Sequence, residues 1–150
     1  MMEFSKCWIM QNRWGGGNLS IMNWEIIPNE SINGMRFGME RSDVRKILGK
    51  PKRVFKKTNE AVNTTDAYLD FHVYYSSDDR LEAIEFFGNN INLCINSHTV
   101  FPGSLKVARN VLPDLEDLYG SFISKSSSIG ISTDEDIIIS ILAGCKDYYK

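Results

Sequence analysis

Tyr68-Leu-Asp-Phe-His-Val-Tyr-Tyr75, then Ser76-Ser-Asp-Asp-Arg80, then Leu81-Glu-Ala-Ile-Glu-Phe-Phe87 is the stretch that decides the fold class. Both flanking runs are rich in aromatic and β-branched residues, which fit the pleated surface of a strand, and Ser77 to Arg80 has the composition of a four-residue turn. Such a loop sets Ser76 opposite Leu81, Val73 opposite Ile84 and Phe71 opposite Phe86, so one face of the hairpin is apolar and belongs to the core. The other face pairs His72 with Glu85 and carries Asp70 two residues away.

Working outward, Gly88-Asn89-Asn90 turns the chain into a strand over Ile91 to Ile95, and Ser104 caps a short helix that Pro113 stops after Leu112. Further strands are expected over Gly120 to Lys125, Ser128 to Ser132 and Asp136 to Ala143. On the N-terminal side, Trp24-Glu-Ile-Ile27 reads as a strand closed by Pro28, and Lys52 to Lys57 as a basic strand before a polar loop, Thr58 to Thr65. In Arg41-Ser-Asp-Val-Arg-Lys-Ile-Leu48, Val44, Ile47 and Leu48 fall at i, i+3 and i+4, the apolar stripe of a helix that Gly49 and Pro51 end. The expected fold is α+β: a mainly antiparallel sheet of about seven strands with two short helices packed on one face, in a tandem helix-plus-strands arrangement.

The chain has 150 residues, 43% hydrophobic and 24% charged, the balance of one ordinary folded domain. Residues 22–150 are read as that domain. Residues 1–21, with Trp8, Trp14 and Gly15-Gly-Gly17, hold no periodic pattern and read as an extension, with Met22 a candidate natural start. Cys7, Cys94 and Cys145 are odd in number and widely spaced, which argues against a disulfide framework or a zinc knuckle and for a cytoplasmic location. No apolar run is long enough to cross a bilayer, so no membrane association is expected.

Charge is unevenly distributed. Between Arg41 and Lys57 eight basic residues stand against Asp43 alone, whereas from Thr58 onward 14 acidic residues face 6 basic ones. Arg45, Lys46, Lys50, Lys52, Arg53, Lys56 and Lys57 have the charge to contact phosphates; a solvated helix face accounts for the same pattern. The acidic groups Asp78 and Asp79, Asp114, Glu116 and Asp117, and Asp134, Glu135 and Asp136 are read as loop residues, where partner contacts concentrate. Their spacing does not match a calcium loop. His72 beside Glu85 and Asp70 is the one grouping with acid–base potential, since a neighbouring carboxylate raises an imidazole pKa; a cross-strand ion pair explains it as well. No nucleophile elbow, P-loop, metal-binding histidine pair or dinucleotide fingerprint is present, so no cofactor or metal and no catalytic residue is expected. Tyr74, with Tyr68, Tyr148 and Tyr149, is a candidate interface anchor.

The run Ile32-Asn-Gly-Met-Arg-Phe-Gly-Met-Glu-Arg-Ser-Asp-Val-Arg-Lys-Ile-Leu-Gly-Lys-Pro51 resembles the G-x-x-x-G-M-[ST]-x-x-E-V-x-x-x-L-G-x-P signature of small domains of the β-lactamase-inhibitor-protein and BamE type. In those families a short helix packs on an antiparallel sheet and the domain binds another protein. Asn23-Trp-Glu-Ile-Ile-Pro28, Thr64-Thr-Asp66, His72-Val-Tyr-Tyr75, Glu82-Ala-Ile-Glu-Phe-Phe87, Tyr119-Gly-Ser-Phe-Ile123 and Ile129-Gly-Ile131 are similar to segments of bacterial immunity proteins encoded beside polymorphic or contact-dependent toxins. The sequence departs from the exported families in lacking a lipid-anchor cysteine and the disulfide pattern of secreted inhibitors. The resemblance implies a non-enzymatic protein that binds and neutralises a cognate toxin, a nuclease or another toxin acting in the cytosol. The acidic groups above and Tyr74 are the expected contacts. The alternative is a nucleic-acid-associated domain using the basic segment 41–57.

Overall fold

The computed structural model describes residues 21–150, so the reading of the N-terminal extension lies outside the described residues apart from Ile21. The described chain forms strands β1 (Met22–Ile27), β2 (Ser31–Ile32) and β3 (Met35–Arg36), helix α1 (Arg41–Leu48), and strands β4 (Arg53–Lys56), β5 (Thr64–Ala67), β6 (Phe71–Tyr75), β7 (Leu81–Phe86), β8 (Ile91–Ile95) and β9 (His98–Phe101). Helix α2 (Leu105–Val111) and strands β10 (Glu116–Leu118), β11 (Ser121–Ser124), β12 (Ile129–Asp134) and β13 (Ile137–Gly144) complete it. No helix among the described residues is long and apolar enough to cross a membrane.

Among the described residues the fold is mainly β with two helices, but 13 strands form two sheets and not one of about seven. A five-stranded sheet has the order β3-β2-β1-β8-β9, and an eight-stranded sheet the order β10-β11-β12-β13-β7-β6-β5-β4. The larger sheet is antiparallel throughout; in the smaller one β1 lies parallel to β8, from Met22 beside Ile91 to Ile26 beside Ile95. The expected count fell short because β2 and β3 are two-residue pairings, and β5, β9 and β10 are short polar segments that read as loops. Each helix is followed by four strands of the larger sheet, α1 by β4 to β7 and α2 by β10 to β13, with β8 and β9 of the smaller sheet between the two sets. The two meanders meet where β7 pairs with β13.

Within the hairpin, Phe71 lies opposite Phe86, His72 opposite Glu85 and Val73 opposite Ile84, as expected. Closer to the turn Tyr75, not Ser76, lies opposite Leu81, because Glu82 is bulged out of the ladder, and the Ser76 N–H donates to the Arg80 carbonyl at 2.8 Å. The bulge leaves the Glu82 carbonyl to accept the Cys145 N–H at 2.9 Å, which carries the chain on from β13.

Strand alternation gives the large sheet two faces. One face carries Phe71, Val73, Ile84, Phe86, Ile129, Ile131, Ile141 and Ala143, and these join Trp24, Ile26 and Ile32 of the small sheet, Val44 of α1, and Leu105 and Ala108 of α2 in one core. Trp24 packs edge-on against Phe71 and Phe86, with ring centroids 4.9 and 5.1 Å apart. Ser104 caps α2, its hydroxyl accepting the Val107 N–H. On α1 Val44 is buried, but Ile47, expected on the same stripe, is 57% exposed.

What holds α1 is charge. Asp66 of β5 lies opposite Val73 on the core face, with its side chain 0% exposed. An ionised carboxylate there requires full compensation. Arg45 supplies two bonds, Nε to Oδ2 at 2.8 Å and Nη2 to Oδ1 at 2.6 Å; Arg41 Nη1 adds a third at 3.4 Å, and the Tyr75 hydroxyl donates to Oδ2 at 3.2 Å. Arg41 and Arg45 are four residues apart and so share one helix face. The Arg41 guanidinium also lies 4.1 Å from the Tyr75 ring centroid, donates to Asn63 and to the Thr64 carbonyl, and sets its Nε 2.9 Å from Asp79 in the β6–β7 turn. Replacement of Asp66 by Ala leaves two arginines against an apolar face; urea unfolding is expected to show a loss of about 3 kcal/mol, the low end for a broken buried pair because Arg45 keeps contact with water. A loss below about 1 kcal/mol contradicts this role for Asp66.

Candidate functional site

The second face of the large sheet points away from the core. Alternation from the core residues assigns to it Phe55 and Arg53 of β4, Thr65 and Ala67 of β5, His72 and Tyr74 of β6, Ala83 and Glu85 of β7, Leu142 and Gly144 of β13, and Gly130 of β12. Phe87, one residue beyond β7, extends it. This outer face is aromatic: the His72 ring lies 4.8 Å from Phe87, 5.3 Å from Phe55 and 6.5 Å from Tyr74, each edge-to-face. Cations cover two of the rings, with the Arg53 guanidinium 5.1 Å from the Phe55 centroid and the Lys57 ammonium 4.4 Å from that of Tyr74.

Small residues make room for a second aromatic layer. After β13 the chain turns at Cys145, whose carbonyl accepts the Tyr148 N–H at 3.0 Å, and returns across the sheet. The Tyr148 ring then lies over Gly144 and Tyr149 over Gly130, so close that a Cβ at either glycine would collide with the ring above it. A glycine inside a strand marks such an approach. The two tyrosine rings meet edge-on with centroids 5.1 Å apart. Burial pushes both phenols up to about 12, and pushes Tyr74 higher still with help from the bond it donates to Glu85 at 2.7 Å. These phenols therefore remain neutral hydrogen-bonding groups at neutral pH.

His72 and Glu85 are adjacent, as the register required, yet the chemistry differs from the expectation. Burial lowers the His72 pKa and outweighs the opposing pull of Glu85, while nearby Arg53 lowers it further. Glu85 directs Oε1 to the Tyr74 hydroxyl. Asp70 lies in the turn before β6, its side chain against Gly88 and its carbonyl accepting the Phe87 and Gly88 N–H groups. The expected raised imidazole is thus a lowered one. His98, read as a loop residue, begins β9, with Nδ1 3.0 Å from the Asn96 carbonyl.

The other expected contacts are dispersed. Asp78 is exposed in the β6–β7 turn; Asp79 beside it is held by Arg41 and by the Asn63 amide at 2.8 Å. Asp114 accepts bonds from the Ser124 and Ser126 hydroxyls at 2.7 and 2.8 Å and from the Ser126 N–H, which hold its carboxyl below the usual range despite opposing burial. Glu116 and Asp117 are not loop residues: they form edge strand β10, and Asp117 accepts the Gly120 N–H. Asp134 ends β12 and Glu135 and Asp136 make the exposed β12–β13 turn, at the opposite end of the sheet from Asp78 because β7 and β13 run antiparallel. The acidic residues therefore do not form one surface.

The basic segment also divides. Arg45 is committed to Asp66, whose hydrogen bond raises its pKa, Lys46 pairs with Asp43 at 3.6 Å, and Arg53 and Lys57 lie on aromatic rings of the outer face. Lys50, Lys52 and Lys56 are exposed, Lys56 on edge strand β4, where a charged residue discourages pairing with another chain. Cys145 is a free thiol raised by burial, whereas Cys94, buried in β8, is disulfide-bonded, a bond that the number and spacing of the cysteines had argued against. No group of His, Cys, Asp and Glu side chains among the described residues is placed to hold a metal ion.

Sequence reading singled out Tyr74 but missed Phe55, Phe87, Leu142 and the glycines beneath the tail. The alternation that exposes Phe55 and Phe87 was visible within their own strands. The β7–β13 pairing that brings the C-terminal tyrosines to the same face joins segments some fifty residues apart and leaves no local signal. Comparisons with protein-family models, curated proteins and solved structures found no match.

A folded-state pKa below the ordinary 6.5 means that the unfolded chain binds the His72 proton more readily. The corresponding stability is complete above pH 6.5 and is lost as pH falls from there toward the folded value. Thermal midpoints recorded between pH 7.5 and 5.5 are expected to decline for the native chain and to flatten in His72→Gln; an unaltered slope in that variant contradicts the assignment. Gly144→Val is expected to lift Tyr148 off the sheet, so that carboxypeptidase trims the last residues much faster than in the native chain.

Proposed function

We propose that this protein is a non-catalytic immunity protein that neutralises a cognate bacterial toxin by covering its active or docking surface, and that the outer face of the eight-stranded sheet is where the toxin binds. The carrying observation is the set of partly exposed rings on this face, Phe55 and Phe87 packed on His72 and Tyr148 on Tyr149, flanked by Arg53, Lys57 and Glu85. Aromatic side chains already held in place bring large contact area at small entropic cost, and tight interfaces concentrate their energy in such anchors. Eight strands about 4.8 Å apart give a face roughly 34 Å wide. With the loops at both ends this suits a footprint of about 800 Å² per partner. Asp78, Glu116, Asp134, Glu135 and Asp136, exposed around the margins, would attract a basic toxin and speed the encounter.

The succession of two helix-plus-four-strand units supports a tandem duplication and agrees with the resemblance to helix-on-sheet inhibitor domains. The nucleic-acid reading draws less support, since Arg41 and Arg45 are committed to Asp66 within the fold.

The test is to read the open reading frame immediately upstream and, where it encodes the C-terminal toxin domain of a large secreted protein, to co-express the two, scored by survival of the cells and by complex formation on size exclusion. Protection and a one-to-one complex are expected. Phe87→Ala and Phe55→Ala should each weaken the complex by about 2 kcal/mol, roughly thirtyfold, without changing the circular dichroism spectrum. Full-strength binding by the double variant rules out this face, and unprotected cells rule out the function.

A further inference from the structure

A groove of about 300 Å³ lies on the other side of the large sheet, between the end of α1 and the start of β6. Its inner residues include Trp24 and Phe71, both part of the core or packed against it, and its lips include Met22, Ile47 and Leu69. These three lip residues are 51%, 57% and 68% exposed, so apolar surface is concentrated at one place without cover from the described chain. Lys50 and Lys52 complete the rim and form no ion pair among the described residues. The lining carboxylate, Asp70, packs against Gly88. Trp24 is 1% exposed, and its buried indole N–H finds no acceptor among the described residues.

We propose that this groove binds a small amphiphilic organic anion, an aromatic ring or short alkyl chain bearing one carboxylate or sulfonate. The apolar body displaces water from Ile47 and Leu69, while the charged head meets Lys50 and Lys52 at the rim. The volume is at the lower limit for small-molecule sites, which suits a compact ring system or a short chain and excludes a dinucleotide. Because the groove is on the core side of the sheet, the site is independent of toxin binding at the outer face.

Titration of the full chain with 8-anilinonaphthalene-1-sulfonate, followed by fluorescence, tests the site. One dye site is expected, displaced by octanoate at about tenfold lower concentration than by octanol, an affinity difference that reports the contribution of charge. The Ile47→Glu/Leu69→Glu variant, altered at exposed positions, should weaken the dye by about tenfold or more. Lys50→Glu/Lys52→Glu should retain the native circular dichroism spectrum and lose the preference for octanoate. Dye binding that both variants leave unchanged overturns the proposal, as does octanol competing on equal terms with octanoate in the native chain.

Discussion

A carboxylate inside an apolar layer must be answered by positive charge or stay protonated, and Asp66 is answered by two arginines of one short helix. This constraint decides where α1 goes. With Val44 as its one fully buried side chain, the helix has little apolar area to hold it, so its orientation follows from Arg41 and Arg45 reaching one acceptor. Arg41 then draws in the β4–β5 loop through Asn63 and Thr64, and the β6–β7 turn through Asp79. A charge-rich segment that in isolation suggests a nucleic-acid surface is thereby partly a structural clamp, and the half of the sheet bearing Phe55, His72 and Tyr74 is braced from behind.

Local pattern revealed those parts of the fold whose cause is local. The hairpin register from Phe71 to Phe86 follows from turn composition and alternation, and α1 from its stripe and its terminal Gly49, whose φ of 88° favours glycine. The Glu82 bulge, the parallel pairing of β1 with β8 and the junction of β7 with β13 depend on contacts between distant segments, which no window of sequence contains. Asp66 does not declare its role in the sequence, because Thr65 and Ala67 beside it disguise a buried acid as part of an ordinary polar loop. The acidic runs misled in a different way: Asp79 and Asp114 are used internally, and internal use cannot be separated from surface display by composition alone.

The outer face answers a problem every two-layer protein meets, namely what to do with the side of a sheet that is not needed for the core. Among the described residues it is neither polar throughout nor covered by helices. Small residues at its centre, Ala83, Gly130 and Gly144, let the chain's own C-terminal tyrosines settle on it, and the rest is a mosaic of rings and charges. Rings packed in this way are held by the fold itself, which would suit the proposed recognition of one toxin shape better than adaptation to many.

The junction of the two meanders has a consequence for biosynthesis. β13 is the last strand of the chain, and β7, its neighbour, is made more than fifty residues earlier. Through that interval the edge of β7 that will receive β13 stays unsatisfied, an open invitation to strands of other nascent chains. The order of synthesis thus makes this late pairing the step at which misassembly competes with folding.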